Sequence, residues 1–256
     1  MRLLVPLFMF AFAGQLADSA VTETIEATHA VTADASFSLK NINGNVEINT
    51  WDRGEIRVVA VKKARTQEDL DAIEVTIRAD EVHVDVKTEY NRKEGSFLGK
   101  WTNSGDVTYT VTIPMGGSLR NVRNVNGSVT LEDVGGPVDV STVNGSIHTS
   151  GLRSDAKLET VNGNVKARFA SVSPDQSIEI GSVNGRSEIV LPDDADFGIK
   201  ARTVHGRIRT DFGLEVDKRK YGPGSRLNGQ IGEGTASVDI STVNGGIRVS
   251  KASGTL

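Results

Sequence analysis

Val138-Asp139-Val140-Ser141-Thr142-Val143-Asn144-Gly145-Ser146-Ile147 is the stretch whose reading decides the fold. Apolar residues alternate up to Val140, the alternation breaks before Asn144-Gly145, and it resumes at Ile147. Alternation by two marks a strand with one buried face. The break places a corner at the Asn-Gly step. The frame recurs along the chain. Asn or His followed by Gly stands at Asn43, Asn126, Asn144, Asn162, Asn184, His205, Asn228 and Asn244, and the last seven are separated by 18, 18, 22, 21, 23 and 16 residues. A near-constant period of this length is the signature of a stacked repeat.

With the Asn as origin, the residue before it is Ile, Val or Leu in every copy. Two before it a hydroxyl is common: Thr142, Thr160, Ser182, Thr203 and Thr242. Four and six before it the best copies are apolar, as at Val140 and Val138 or Leu158 and Ala156. Three after it the residue is aliphatic, except that the copy at Asn184 slips, with Ser187 there and Ile189 two further on. Asn tolerates the left-handed backbone region and Gly enters it freely, so a left-handed corner is expected. On that reading Gly145→Val is damaging and Ser146→Val nearly silent. Isolated Asn-Gly hairpins are the competing arrangement, but columns recurring in one frame suit parallel rungs better. The fold class expected is all-β: a parallel β-helix, or β-solenoid, of about 16–23-residue rungs with an irregular N-terminal segment. One rung cannot bury its own apolar face, so the rungs must stack.

Outside the regular copies, Phe37 to Ile48 reads as a first repeat and Glu55 to Val61 as a strand. Thr66-Gln67-Glu68-Asp69 carries a helix-start signature. Val75–Arg78 and Val82–Val86 read as a hairpin, and Val107–Ile113 as a strand ending at Pro114. The polar stretch from Thr88 to Gly105 reads as a surface loop, with Phe97 and Trp101 as a lid over the stack. Regular rungs are expected from about Leu119 to the end, where a charged last rung or a head-to-tail contact would protect the open edge.

Met1-Arg2, the apolar run Leu3–Ala13 and the small residues Gly14–Ala20 fit a secretory signal peptide. The run is too short to span a bilayer. The division expected is a signal peptide over 1–20 and a single solenoid domain over 21–256, with an irregular hairpin and loop segment over 64–118. The chain has no cysteine, which excludes a lipoprotein anchor and disulfides, so a periplasmic or secreted protein is expected. Formal net charge is −4 and dispersed, which implies neither nucleic acid nor an anionic membrane as partner. The basic clusters Lys62-Lys63-Ala64-Arg65 and Lys218-Arg219-Lys220 read as solvated faces.

Catalytic and metal chemistry find little support. His29, His83, His148 and His205 are not paired at ligand spacing, and His205 occupies the corner column. Pro192-Asp193-Asp194-Ala195-Asp196 lacks the length and glycine of a calcium loop. There is no Gly-x-Ser-x-Gly elbow, and Gly222-Pro223-Gly224 and Gly229–Gly234 lack the Lys-Ser/Thr ending of a phosphate loop. Glu132, Asp133, Asp139, Asp155, Glu159, Glu179 and Glu188 are outward carboxylates that do not share one column, and aromatic platforms for sugar rings are scarce. No catalytic, cofactor-binding or metal residue is assigned.

The Thr/Ser-Val-Asn-Gly repeats, the strand ending in Ile113-Pro114, and Ile231-Gly232-Glu233-Gly234 leading into Val238–Ile247 resemble the bacterial "putative adhesin" domain of unknown function, over about residues 30 to 250. The resemblance implies a β-solenoid and an envelope or secreted setting, and supplies no catalytic residues. A non-enzymatic binding or structural module is therefore expected, its partner an envelope protein or a surface polymer. The alternatives are a polysaccharide-active enzyme on the same scaffold and a sensor partner in envelope stress.

Overall fold

The structure is a computed structural model that describes residues 20–91, 105–218 and 224–252. The leader and the Phe97–Trp101 lid fall outside them, apart from Ala20. The described residues form an all-β solenoid. Its N-terminal part comprises β1 (Val21–Ala30), β2 (Ser36–Lys40), β3 (Val46–Trp51), β4 (Glu55–Ala64), α1 (Gln67–Asp71), β5 (Ile73–Ala79), β6 (His83–Tyr90) and β7 (Gly105–Pro114). Regular copies follow as β8 (Ser118–Asn126) and β9 (Val129–Glu132), β10 (Val138–Asn144) and β11 (Ile147–Leu152), β12 (Ala156–Asn162) and β13 (Val165–Phe169), and β14 (Ser177–Asn184) and β15 (Ser187–Leu191). The remainder is β16 (Phe197–His205), β17 (Ile208–Thr210), β18 (Val216–Lys218), β19 (Ser225–Ile231), β20 (Ala236–Asn244) and β21 (Ile247–Lys251).

Each regular rung is two strands joined at the Asn-Gly or His-Gly corner, one strand in each of two facing sheets. One sheet runs β1-β4-β7-β3-β9-β11-β13-β15-β21-β17, the other β18-β19-β16-β20-β14-β12-β10-β8-β2-β6-β5. Neighbouring rungs are parallel and in register, so Val140, Leu158, Ile180 and Ile240 form one inward column and Asn144, Asn162, Asn184 and Asn244 another. The core fills the narrow space between the sheets with aliphatic side chains such as Val140, Leu158, Ile180, Ile147 and Val165, all buried. As the sequence suggested, Thr66 caps α1, its hydroxyl accepting the Asp69 N–H at 3.1 Å.

The corner is built differently from the left-handed turn expected. Gly145, Gly163, Gly185, Gly206 and Gly245 are not at positive φ; in the corner column only Gly44 (φ 114°) and Gly127 (φ 141°) are. Left-handed residues sit instead away from this seam, among them Asp133 and Gly151 at the second corner. Glycine is required at the first corner because a Cβ on Gly163 would lie well inside 3.0 Å of the Gly145 carbonyl oxygen, and a Cβ on Gly145 likewise against Gly127. The rungs approach through bare Cα atoms.

Three further columns complete the seam. Asparagine amides form a ladder in which Asn126, Asn144, Asn162, Asn184 and Asn244 each donate to the Oδ1 of the Asn beneath, at 2.8–2.9 Å. The hydroxyl two residues earlier points inward. Thr160 donates to the Gly145 carbonyl at 2.8 Å, Ser182 to Gly163 at 3.1 Å and Thr242 to Gly185 at 3.2 Å. Without these hydroxyls the part-buried carbonyls would lose a donor. The valine before the Asn points outward, leaving Val143, Val161, Val183 and Val243 exposed. Ser146 is not idle either, since its hydroxyl accepts the Asn164 N–H at 3.1 Å.

Ser187 is not a slip. It stays in register between Val165 and Ile247, fully buried, with no hydrogen-bond partner for its hydroxyl among the described residues. Ser187→Val should therefore stabilise the protein by about 1–2 kcal/mol, through removal of an unsatisfied buried hydroxyl and added apolar burial. A higher urea midpoint at unchanged slope would show it, and a lower midpoint would mean the site has no room.

Stacking order departs from chain order at both ends. The rung β6–β7, from the segment 64–118 expected to be irregular, lies outside the rung β2–β3. It is covered in turn by antiparallel β5 in one sheet and by β4 and β1 in the other. At the far end the last rung in sequence, β20–β21, is interior, wedged between β14–β15 and β16–β17. This corrects the expectation that the copy at the chain end forms the open edge of the stack. Asn228-Gly229 is no corner at all: it lies mid-strand in β19, antiparallel to β16. Asp196 holds the turn that returns the chain to β20. Its carboxylate accepts the N–H groups of Glu233 and Thr235 at 2.9 and 2.8 Å, and bonding first to Thr235 and then to Glu233 keeps its pKa below the usual carboxylate value.

Candidate functional site

Outward positions of the β18-containing sheet fall into transverse rows because the register is shared. One row reads Glu159, Gly181, Ser241, Arg202, Arg226 and Asp217 across six strands. The next reads Lys157, Glu179, Asp239, Lys200 and Asn228. Gly181 and Ser241 are the small members of the first row, so the surface sinks there. The result is a groove of about 1170 Å³. Its floor lies over Gly181 and Ser241, its far wall is Glu215–Asp217, and Glu159 and Arg202 face each other across it.

Five carboxylates and three cations line this groove, so its rim is net acidic. The charges are unevenly matched. Lys157 lies 3.7 Å from Glu159 and 3.6 Å from Glu179. Farther along the same face Arg123 holds Asp139 through two hydrogen bonds of 3.0 and 3.1 Å. Arg202 and Arg226 are directly opposite one another on antiparallel strands, and among the described residues neither has a carboxylate within salt-bridge distance. Like charges in directly opposed positions destabilise a strand pair.

Of the outward carboxylates read from the sequence, the structure brings Glu159 and Glu179 to this groove. Asp139 lies on the same face beyond it, and Glu188 and Glu132 belong to the other sheet. A glycosidase pair requires one carboxyl kept protonated by burial. Glu159 and Glu179 are about half exposed, at 52% and 55%, beside a shared lysine. The cluster Ser36, Ser38, His83 and Asp85, on the same sheet between β2 and β6, also lacks a productive order. Ser36 is 2.8 Å from His83 Nδ1 and Ser38 is 3.2 Å from Nε2, while Ser38 donates to Asp85 at 2.5 Å. A nucleophilic triad needs the acid on the histidine; here the acid meets the serine, and both ring nitrogens meet hydroxyls.

Among the described residues no three His, Asp or Glu side chains gather as a metal site. No described helix is long and apolar enough to cross a membrane. His205 continues the corner column above Asn244, its carbonyl accepting the Gly245 N–H at 3.0 Å. Sequence reasoning missed Gly181, Arg202, Arg226 and Ser241. They come from three copies and the antiparallel β19, and only the insertion of β20 beside β14 places Ser241 next to Gly181.

A family model described as Toastrack DUF4097 matches residues 36–250. Several solved structures are similar. A "putative cell adhesion protein" from Clostridium sporogenes is 11% identical, with 90% of this chain and 100% of that one covered at a TM-score of 0.46. A "putative adhesin" from Bacteroides fragilis is 12% identical, with 89% and 97% covered at 0.45. A "putative lipid binding protein" from Parabacteroides distasonis is 10% identical, with 90% and 96% covered at 0.28. Likenesses this distant say nothing about activity. No curated protein matches the chain.

Proposed function

The chain belongs to the Toastrack DUF4097 family, and from that premise we propose that it is a non-enzymatic binding module that works outside the cytoplasm and presents its strand face to a surface polymer. The observation that carries this reading is the open groove of about 1170 Å³ on the outer face of a stacked sheet. Apart from Glu215 its lining consists of strand residues fixed in register, so it exists before any ligand arrives. A pre-formed concave site with a few convergent polar groups suits binding. The carboxylates at its rim lack the burial that acid–base work on a glycosidic bond requires. The leader-like N-terminal sequence supports a periplasmic or secreted setting.

The purified full chain applied to an array of envelope glycans tests the reading. Retention of one glycan class with no new reducing ends after prolonged incubation is the expected result. Steady release of reducing ends would establish the enzyme instead, and binding to no glycan would remove the polymer as partner.

A further inference from the structure

We propose that the depression over Gly181 is a subsite for an acidic saccharide, with Arg202 and Arg226 holding the anionic group of the sugar. This rests on the binding-module reading and names its ligand class. Gly181 supplies the first argument. It lies in the middle of β14, outside the left-handed region, and a Cβ there would meet only the Glu159 Cγ at 3.5 Å and the Ser241 Oγ at 4.0 Å, both ordinary contacts. The corner glycines are forced by backbone collisions; this one is not. Glycine inside a strand costs stability, and one that packing does not require marks a place where another molecule approaches the backbone.

The arginines supply the second, independent argument. Two guanidinium groups stand opposed across a strand pair, and among the described residues no carboxylate lies within salt-bridge distance of either, although Asp217 stands beside Arg226 in the row. An anion between them would relieve the repulsion through charge-assisted, bidentate hydrogen bonds. Ser241 lies next to Arg202 in the same row, about three strand spacings, or roughly 14 Å, separate Arg202 from Glu159, and Asp239 borders the depression. Carboxylate rims of this kind accept hydrogen bonds from donors. The complementary ligand therefore bears one anion with several hydroxyls beside it, as a uronic acid or sulfated sugar unit does. A polyanion without hydroxyls does not fit, because it offers the acidic rim no hydroxyl donors to offset the repulsion.

Isothermal titration of the full chain with oligogalacturonate, with a neutral glucan of equal length and with polyglutamate tests this. Oligogalacturonate should bind, and neither of the others should. Arg202→Ala with Arg226→Ala should weaken binding by at least about tenfold, the loss of charge-assisted hydrogen bonds. Gly181→Leu should do the same with no fall in melting temperature, which separates a filled site from a damaged fold. Lys166→Ala, on the outer face of the other sheet, should bind as the parent chain does. Equal affinity of the Gly181→Leu variant would overturn the site, and equal binding of polyglutamate would overturn the saccharide class. Binding of the neutral glucan alone would overturn the inference and leave the binding-module reading standing; failure on every glycan of the array would overturn that reading itself.

Discussion

Gly163→Ala is expected to lower the melting temperature by roughly 2–12 °C, while Gly181→Ala leaves it unchanged or raises it. Both are glycine-to-alanine changes in the same solenoid, one turn of sequence apart, so composition cannot separate them. Position can. At Gly163 the new Cβ meets the carbonyl carbon and oxygen of Gly145 well inside contact distance. Nothing flexible can yield, because that carbonyl is held by the Thr160 hydroxyl at 2.8 Å and the Gly145 N–H is held by Asn162 at 3.1 Å. The rungs must part or slide, which breaks both bonds and disturbs the amide ladder through Asn162. Overpacking of this kind costs about 1–3 kcal/mol, more where backbone must move. In a chain of this size each kcal/mol corresponds to about 2–4 °C. At Gly181 the same methyl finds room, and the gain over glycine in strand propensity is about 0.5–1 kcal/mol. Differential scanning calorimetry on the two variants decides the matter. Indistinguishable melting curves would show that the corner glycines are not stacked Cα to carbonyl.

Ending the chain after Gly234 should have a larger effect still. If the last copy in sequence were the last in space, its removal would peel off one rung and expose the next. The observed order predicts otherwise. β20 and β21 lie between β14–β15 and β16–β17, so their loss leaves a slot inside the stack. Ala236, Val238, Ile240, Ile247 and Val249 are all buried, and at roughly 1.5–3 kcal/mol each their removal forfeits on the order of 10 kcal/mol of burial. That rivals the whole stability of a typical domain. β16, β17 and β19 would lose their attachment along with the deleted strands. Amide exchange should show protection vanish over residues 197–210 and 225–231 and persist over 118–170. Retained protection in β16 and β19 would mean that they dock on β14 directly and that the inserted order is wrong.

The same comparison shows where the sequence was readable and where it was not. Parallel stacking followed from columns: Val140, Leu158 and Ile180 recur at one distance from their Asn, and only parallel rungs keep such a column aligned. Corner chemistry was half legible. Asn and Gly are favoured both in left-handed turns and where backbones must touch, so Gly145 alone could not say which cause applied. The inward hydroxyl of Thr160 was visible as a recurring residue type, but its reason, the part-buried Gly145 carbonyl it donates to, exists only between rungs. Asn228-Gly229 imitated a corner because a dipeptide carries no record of strand direction. One clue to the order at the C-terminal end lay in the sequence unused. His205 lacks the amide that accepts and donates along a ladder, so it belongs at the end of the column, and Asn244, which can do both, belongs inside it.

The groove was not legible at all. Gly181, Ser241, Arg202 and Arg226 occupy three different copies and one antiparallel strand that fits no copy. Their adjacency depends on which copy stacks on which.

Repetition of local chemistry by itself determined that this chain is a solenoid, because buried columns every rung are the only way such short strands can hide their apolar faces. Only the tertiary structure decided the order of the rungs and, with it, the recessed, unevenly charged groove on the outer face. Stacking energies of near-identical rungs hardly distinguish one neighbour from another, and the choice falls to contacts that no single repeat contains.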